Sequence, residues 1–221
     1  MNYFSHAFQF LKDSAAVEPF FIAGTAVPDW LNVVNRKVRA RSKSASRFIT
    51  DDDPDLSNLA KGIVQHHYDD HWFHQTPVFN ELSLQFTIEI RHLLSPDPGF
   101  RPSFLGHILI ELFLDSELIK RHPDTIQYYY RVMKSLDHSR VEALVSMVTP
   151  QPATNLSWFI GRFCEVKFLY DYSCDEKLLG RLNQIMQRVK LPRLPRELCS
   201  FFDSARNRVA DQLDALLPME F

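Results

Sequence analysis

Glycine is scarce in this sequence, with six in 221 residues. Few glycines mean few turns at positive φ, which argues against a strand-rich fold and against a glycine-rich dinucleotide loop. Cysteine is sparser still. Cys164, Cys174 and Cys199 are odd in number, widely spaced, and include no Cys-x-x-Cys pair. They read as free, reduced thiols of a cytoplasmic protein, and none is marked as a nucleophile. No window approaches the roughly 18 apolar residues that a membrane span requires. The start, Met1-Asn2-Tyr3-Phe4-Ser5-His6, has neither the basic region nor the apolar stretch of a signal peptide. A net charge of −2 calls for neither nucleic acid nor an anionic membrane surface. No Gly-x-Ser-x-Gly elbow and no Cys/His couple points to covalent catalysis. The acidic turn Asp51-Asp52-Asp53-Pro54-Asp55 lacks the spaced ligands and closing Glu of a calcium loop.

Phenylalanine, by contrast, is abundant at 18, and hydrophobic residues make up 45% of the chain, so a full core built on aromatic packing is expected. The apolar spacing is helical throughout. No repeat or low-complexity linker interrupts it, and the length suits one domain. The expectation is an all-α, single-domain bundle over 1–221, with on the order of ten helices and essentially no sheet. Pro28 should end or kink an apolar second helix that begins at Pro19. Leu56, Leu59, Ile63 and Tyr68 should pack the helix that follows the acidic turn, with Asp53 or Asp55 as its cap. Pro96, Pro98, Gly99 and Pro102 mark a loop. A helix over 156–170 carries Arg162 and Lys167 as cations that could face an anion, and Tyr128-Tyr129-Tyr130 reads as packing.

The chemistry is concentrated in His66-His67-Tyr68-Asp69-Asp70-His71-Trp72-Phe73-His74, which holds four of the nine histidines. On a helix, His66, Asp70 and His74 are spaced i, i+4, i+8 and share one face. A core helix would carry Leu or Ile there, and a solvated one Lys and Glu. Imidazole and carboxylate together suit a divalent ion. His107, Glu111 and Asp115 repeat the spacing in a segment otherwise made of Ile, Leu and Phe, where ionisable groups need a partner. His6 lies beside the apolar stripe of the first helix, and taken alone reads as a hydrogen-bonded histidine. Asp29 follows a buried apolar run and either joins the polar cluster or caps the next helix. The basic run Arg36, Lys37, Arg39, Arg41, Lys43 and Arg47 is either a solvated face or a dock for an anion.

Collected, the metal-ligand candidates are His6, Asp29, His66, Asp70, His107 and Glu111, with His74, Asp69 and Asp115 in reserve. Asp29, Asp70 and His74 are the candidates for catalysis, and His67, Arg36, Lys37 and Arg39 for holding substrate. Bundle metal sites are built this way, from side chains on facing helices. Mixed imidazole and carboxylate ligation suits Mn²⁺, Fe or Zn²⁺ better than Ca²⁺. Such an ion activates water and polarises a phosphoryl oxygen. Metal-assisted hydrolysis of a phosphate ester is the reaction class these residues favour.

The order of motifs resembles the acyl-carrier-protein phosphodiesterase family, a divergent branch of the HD-type metal phosphohydrolases. The likeness rests on Met1-Asn2-Tyr3-Phe4-Ser5-His6, on Ala23-Gly24-Thr25-Ala26-Val27-Pro28-Asp29, on Gly62-Ile63 with His66 and Asp70, and on His107 with Glu111. It covers roughly the first 120 residues. The resemblance implies an HD-like all-α fold, Mn²⁺ or Mg²⁺, and hydrolysis of the phosphopantetheine phosphodiester on acyl carrier protein. It also implies His6, Asp29, His66 and Asp70 as ligands, completed by His107 and Glu111. The basic run after Asp29 would suit an acidic carrier protein. The chain departs from the family pattern in lacking an adjacent His-Asp doublet and in placing His67, His74 and His107 where the family has Arg, an acid and usually Asp. Two alternatives stand beside this reading. One is a non-catalytic helical binding protein with a buried His/carboxylate network. The other is a hydrolase similar to the zinc-dependent phospholipases C.

Overall fold

The computed structural model describes residues 1–12, 17–96 and 99–218. Pro98, placed in a loop from the sequence, lies outside them. Among the described residues every regular element is helical: α1 Tyr3–Phe8, α2 Pro19–Val34, α3 Ser42–Ala45, α4 Pro54–Phe73, α5 Pro77–Leu93, α6 Pro102–Arg121, α7 Pro123–Ser135, α8 His138–Val148, α9 Leu156–Val166, α10 Asp175–Arg188, α11 Cys199–Asp211 and α12 Leu213–Leu216, with 3-10 turns at Gln9–Leu11, Phe168–Ser173 and Arg196–Leu198. Proline opens five of the long helices, at 19, 54, 77, 102 and 123. There its missing N–H costs nothing and its fixed φ suits the first turn. No helix is long and apolar enough to cross a membrane among the described residues.

The chain divides into two compact units, each assembled from separate stretches. The first comprises Met1–His71 and His122–Lys167. Its core is the aromatic one expected from the phenylalanine content. Trp30 meets Phe163 edge-on at 5.7 Å, and Tyr129 meets Phe4 at 5.8 Å and Phe163 at 6.2 Å. All four rings are fully or almost fully buried, and each contributes on the order of 1.5–3 kcal/mol by burial, with a further ~0.5–1.5 for a well-set ring pair. The second unit comprises Trp72–Arg121 and Phe168–Phe221. Here Phe86 packs on Phe201 at 5.1 Å and Phe113 on Phe202 at 5.9 Å, and the guanidinium of Arg206 lies over both Phe113 and Phe202.

Several local expectations change. α2 runs through Pro28 to Val34. Ile22, Ala26 and Val27 on one side of the proline and Trp30 and Leu31 on the other are buried, and this packing outweighs the roughly 3 kcal/mol an interior proline costs. Asp29 therefore sits inside α2 and not at the start of a following helix. Tyr68 is exposed, because at i+5 from Ile63 it leaves the buried face of α4. α9 stops at Val166, with Lys167 in the left-handed region at φ 50. Arg162 pairs with Glu165 at 2.6 Å and Lys167 lies over the Tyr130 ring, so both cations are engaged locally. Asp53 does cap α4, its Oδ1 accepting from the amides of Asp55 and Leu56.

Candidate metal centres

The first cluster is set by two of the six glycines. A Cβ built on Gly24 of α2 would lie 2.3 Å from the carbonyl of Leu59, and one on Gly62 of α4 would lie 2.1 Å from the carbonyl of Phe21. No side chain fits at either position, so α2 and α4 cross with their backbones in contact. Asp29 lies five residues beyond the crossing on α2, and His66 four beyond it on α4. The close approach is what lets their short side chains meet. α1 brings His6 to the same place. Its first turn is tied down by the Asn2 amide donating to Ser5 Oγ at 3.0 Å, and Phe4 anchors it in the core.

His6, Asp29 and His66 each offer a ligand atom within 4.8 Å of the others. His6 and His66 are almost wholly buried, with their rings stacked at 4.0 Å. Outer partners fix which nitrogen each presents. His66 Nδ1 donates to the carbonyl of Thr25 at 2.8 Å. A carbonyl can only accept, so Nδ1 carries a hydrogen and Nε2 is the nitrogen left to face the cluster. His6 Nδ1 bonds to Asp69 Oδ2 at 3.1 Å, and Gln65 Nε2 donates to the other oxygen of Asp69 at 2.7 Å. Carboxylate behind imidazole is the usual outer arrangement of a metal-ligating histidine. His6 Nε2 is buried with no hydrogen-bond partner among the described residues.

Asp70 closes the cluster. Its Oδ1 lies 3.4 Å from His6 Nε2 and its Oδ2 3.4 Å from His66 Nε2, while Oδ1 accepts from the Met1 amino group at 2.8 Å. Ligand atoms held at about 2.0–2.2 Å from one ion stand about 3–3.5 Å apart, so these separations fit the edges of a coordination shell. Burial works against the Asp70 charge. The Met1 amino group and the imidazoles of His6 and His66 overcome it and hold the carboxyl far below the usual range. Burial also works against a charged His6, but the carboxylates of Asp69 and Asp70 prevail and raise it.

A cavity of about 320 Å³ opens on this cluster. Asp29, His66 and Asp70 line it together with Asn32, Arg39, Arg41 and His67. Arg39 and Arg41 flank Ala40, which is buried, and both line the cavity. Asn32 Oδ1 accepts from Arg39 Nη1 at 2.8 Å. His67 Nε2 donates to the carbonyl of Ala40 at 2.7 Å, and burial lowers its pKa, leaving a neutral ring with its lone pair on Nδ1.

The second cluster belongs wholly to the second unit. α4 ends at Phe73, so His74 leaves the helical face of His66 and Asp70. Its Nε2 bonds to Glu111 Oε1 at 2.8 Å, and His107 Nε2 lies 3.3 Å from the same oxygen. The three residues offer ligand atoms within 4.8 Å of one another. A Cβ built on Gly106 would lie 3.0 Å from the carbonyl of Ser83, so the glycine lets α6 approach α5 closely beside His107.

Of the residues singled out from the sequence, His6, Asp29, His66 and Asp70 converge in the first unit, and His74, His107 and Glu111 in the second. Asp69 stands behind His6. Asp115 is fully buried. His67 and Arg39 line the cavity, whereas Arg36 and Lys37 are not among its lining residues. Sequence reasoning missed Arg41 and Asn32 as cavity residues and Thr25 as a hydrogen-bond partner. The available signal was the Arg-x-Arg alternation around Ala40. Comparison of the chain with family models, with curated proteins and with solved structures returned no match.

Proposed function

We propose that the first unit carries a metal-dependent hydrolase centre acting on a phosphodiester. One observation supports this reading above the others: a single cavity joins a buried imidazole–carboxylate cluster to two guanidiniums. The donor set fits Mn²⁺, Fe²⁺ or Zn²⁺, with His6, His66, Asp29 and Asp70 as its ligands. Such an ion polarises a phosphoryl oxygen and makes water acidic enough to act as a nucleophile near neutral pH.

The chain's own residues supply binding and proton handling. Arg39 and Arg41 take the charge of the phosphate, and Asn32 fixes the fork of Arg39 so that less motion is lost on binding. Asp70, held far below the usual carboxylate range, stays anionic at neutral pH and orients the two Nε2 atoms. His67, neutral with a free Nδ1, accepts a proton on the cavity side. The order of sequence motifs supports the phosphopantetheine diester of acyl carrier protein as the first natural substrate to try, with the basic run from Arg36 to Arg47 facing the acidic carrier.

The test is hydrolysis of bis-p-nitrophenyl phosphate by the metal-loaded chain. Turnover should require Mn²⁺ or Zn²⁺, fall by at least about 10³-fold in His66→Ala and Asp29→Asn, and show a raised KM in Arg39→Ala and Arg41→Ala. A loaded protein that holds its ion and turns over nothing would leave the binding-protein reading in its place.

A further inference from the structure

We propose that His74, His107 and Glu111 form a metal site made entirely of residues from the second unit, suited to a borderline ion such as Zn²⁺ or Fe²⁺. The two histidines come from different elements, the turn after α4 and the middle of α6, yet both direct Nε2 at one oxygen of Glu111. His74 Nε2 lies 2.8 Å and His107 Nε2 3.3 Å from Glu111 Oε1. The three residues offer ligand atoms within 4.8 Å of one another, close enough to be drawn onto one ion at about 2.0–2.2 Å.

The surroundings hold the three side chains ready. Phe79 packs against both rings, 4.9 Å from His74 and 5.0 Å from His107, and the two imidazoles lie 4.6 Å apart. Asn80 Nδ2 donates to the His74 carbonyl at 3.1 Å, and Thr76 Oγ1 accepts from the Phe79 amide, so the turn that carries His74 is tied at both ends. Glu111 is mostly covered, at 16% exposed, while His107 is 40% exposed. One side of the cluster therefore faces solvent. Two histidines and one carboxylate with an open side is an arrangement that binds an ion and leaves coordination positions for water or a small anion. No cysteine takes part, so the site favours nitrogen- and oxygen-loving ions over Cu(I).

The experiment uses the full-length chain. After equilibration with Zn²⁺ and removal of free metal, wild type should retain two ions by elemental analysis, and His107→Gln and Glu111→Gln one each. His66→Ala should lose a different ion and keep the one held by the second unit. Ligand loss should weaken that ion by more than the 10- to 100-fold typical of outer-partner changes. Co²⁺ loading gives a second readout, since the visible d–d band that survives in His66→Ala should vanish in His66→Ala/His107→Gln. His107 is partly exposed, and a circular dichroism spectrum checks that its replacement leaves the helices intact. A wild-type count that His107→Gln does not lower, or a single ion released equally by His66→Ala and His107→Gln, overturns the proposal. Absence of phosphodiester turnover in wild type that holds both ions counts against the hydrolase reading alone.

Discussion

The two units hold chemically similar clusters built to different standards. In the first, His6 and His66 are buried, and each has its Nδ1 committed to an outer acceptor, Asp69 Oδ2 or the Thr25 carbonyl. In the second, the imidazoles are partly exposed, both point Nε2 at Glu111 Oε1, and Phe79 packs against both rings. Locked tautomers and low exposure favour tight, geometrically defined binding, and a half-open site favours exchange. The first cluster is accompanied by a cavity lined by two arginines, Arg39 and Arg41. The contrast separates two properties that a list of ligands conflates: the ability to hold an ion, and the ability to hold a substrate beside it.

The largest way to break the comparison is at the helix crossing. Gly62→Ala places a methyl 2.1 Å from a backbone carbonyl, so α2 and α4 must separate. Thermal or denaturant unfolding should show about 1–3 kcal/mol of destabilisation, with loss of the first cluster's ion and retention of the second's. Gly180→Ala is the control. Nothing lies within 4 Å of a Cβ there, and in the middle of α10 it should stabilise by roughly 0.4–1 kcal/mol.

A smaller effect sharpens the role of outer partners. Asp69→Asn keeps the shape but removes the charge behind His6. Calorimetric titration should show metal affinity about 10- to 100-fold weaker at the first cluster and unchanged at the second.

The smallest is a pH effect, and its sign follows from His6. Asp69 and Asp70 raise its pKa against the opposing effect of burial. Without metal, the stability this protonation contributes is fully present below the unfolded value, near 6.5, and is lost as pH rises through the folded value. An ion needs Nε2 bare, so affinity at the first cluster should climb by up to about tenfold per pH unit over that interval. The metal-induced rise in Tm should grow with it. At the acid end, Asp70, held low by its neighbours, contributes stability present above about pH 4 and lost as pH falls below it.

The candidate ligand pairs were legible from the sequence because i, i+4 spacing on a helix is a local property. His66 with Asp70 and His107 with Glu111 needed only periodicity. The all-α fold was legible for the same reason. What decides which pairs meet was not local. Gly24 and Gly62 lie 38 positions apart, and nothing in either segment announces that they touch. His74 reads as the third member of the first row until the end of α4 is known to be Phe73. Pro28 reads as a helix stop because its cost is local, whereas the burial of Trp30 and Leu31 that offsets it is tertiary. Thr25 entered through a backbone carbonyl, which residue identity does not encode.

The central claim is that the first cluster is a metal centre. Anomalous diffraction from crystals grown with Mn²⁺ or Zn²⁺, recorded at the absorption edge, tests it most directly. The predicted result is a peak within bonding distance of His6 Nε2, His66 Nε2 and a carboxylate oxygen of Asp29 or Asp70. A map with no peak among those atoms at saturating metal, and with both imidazoles still paired only to protein, would contradict it.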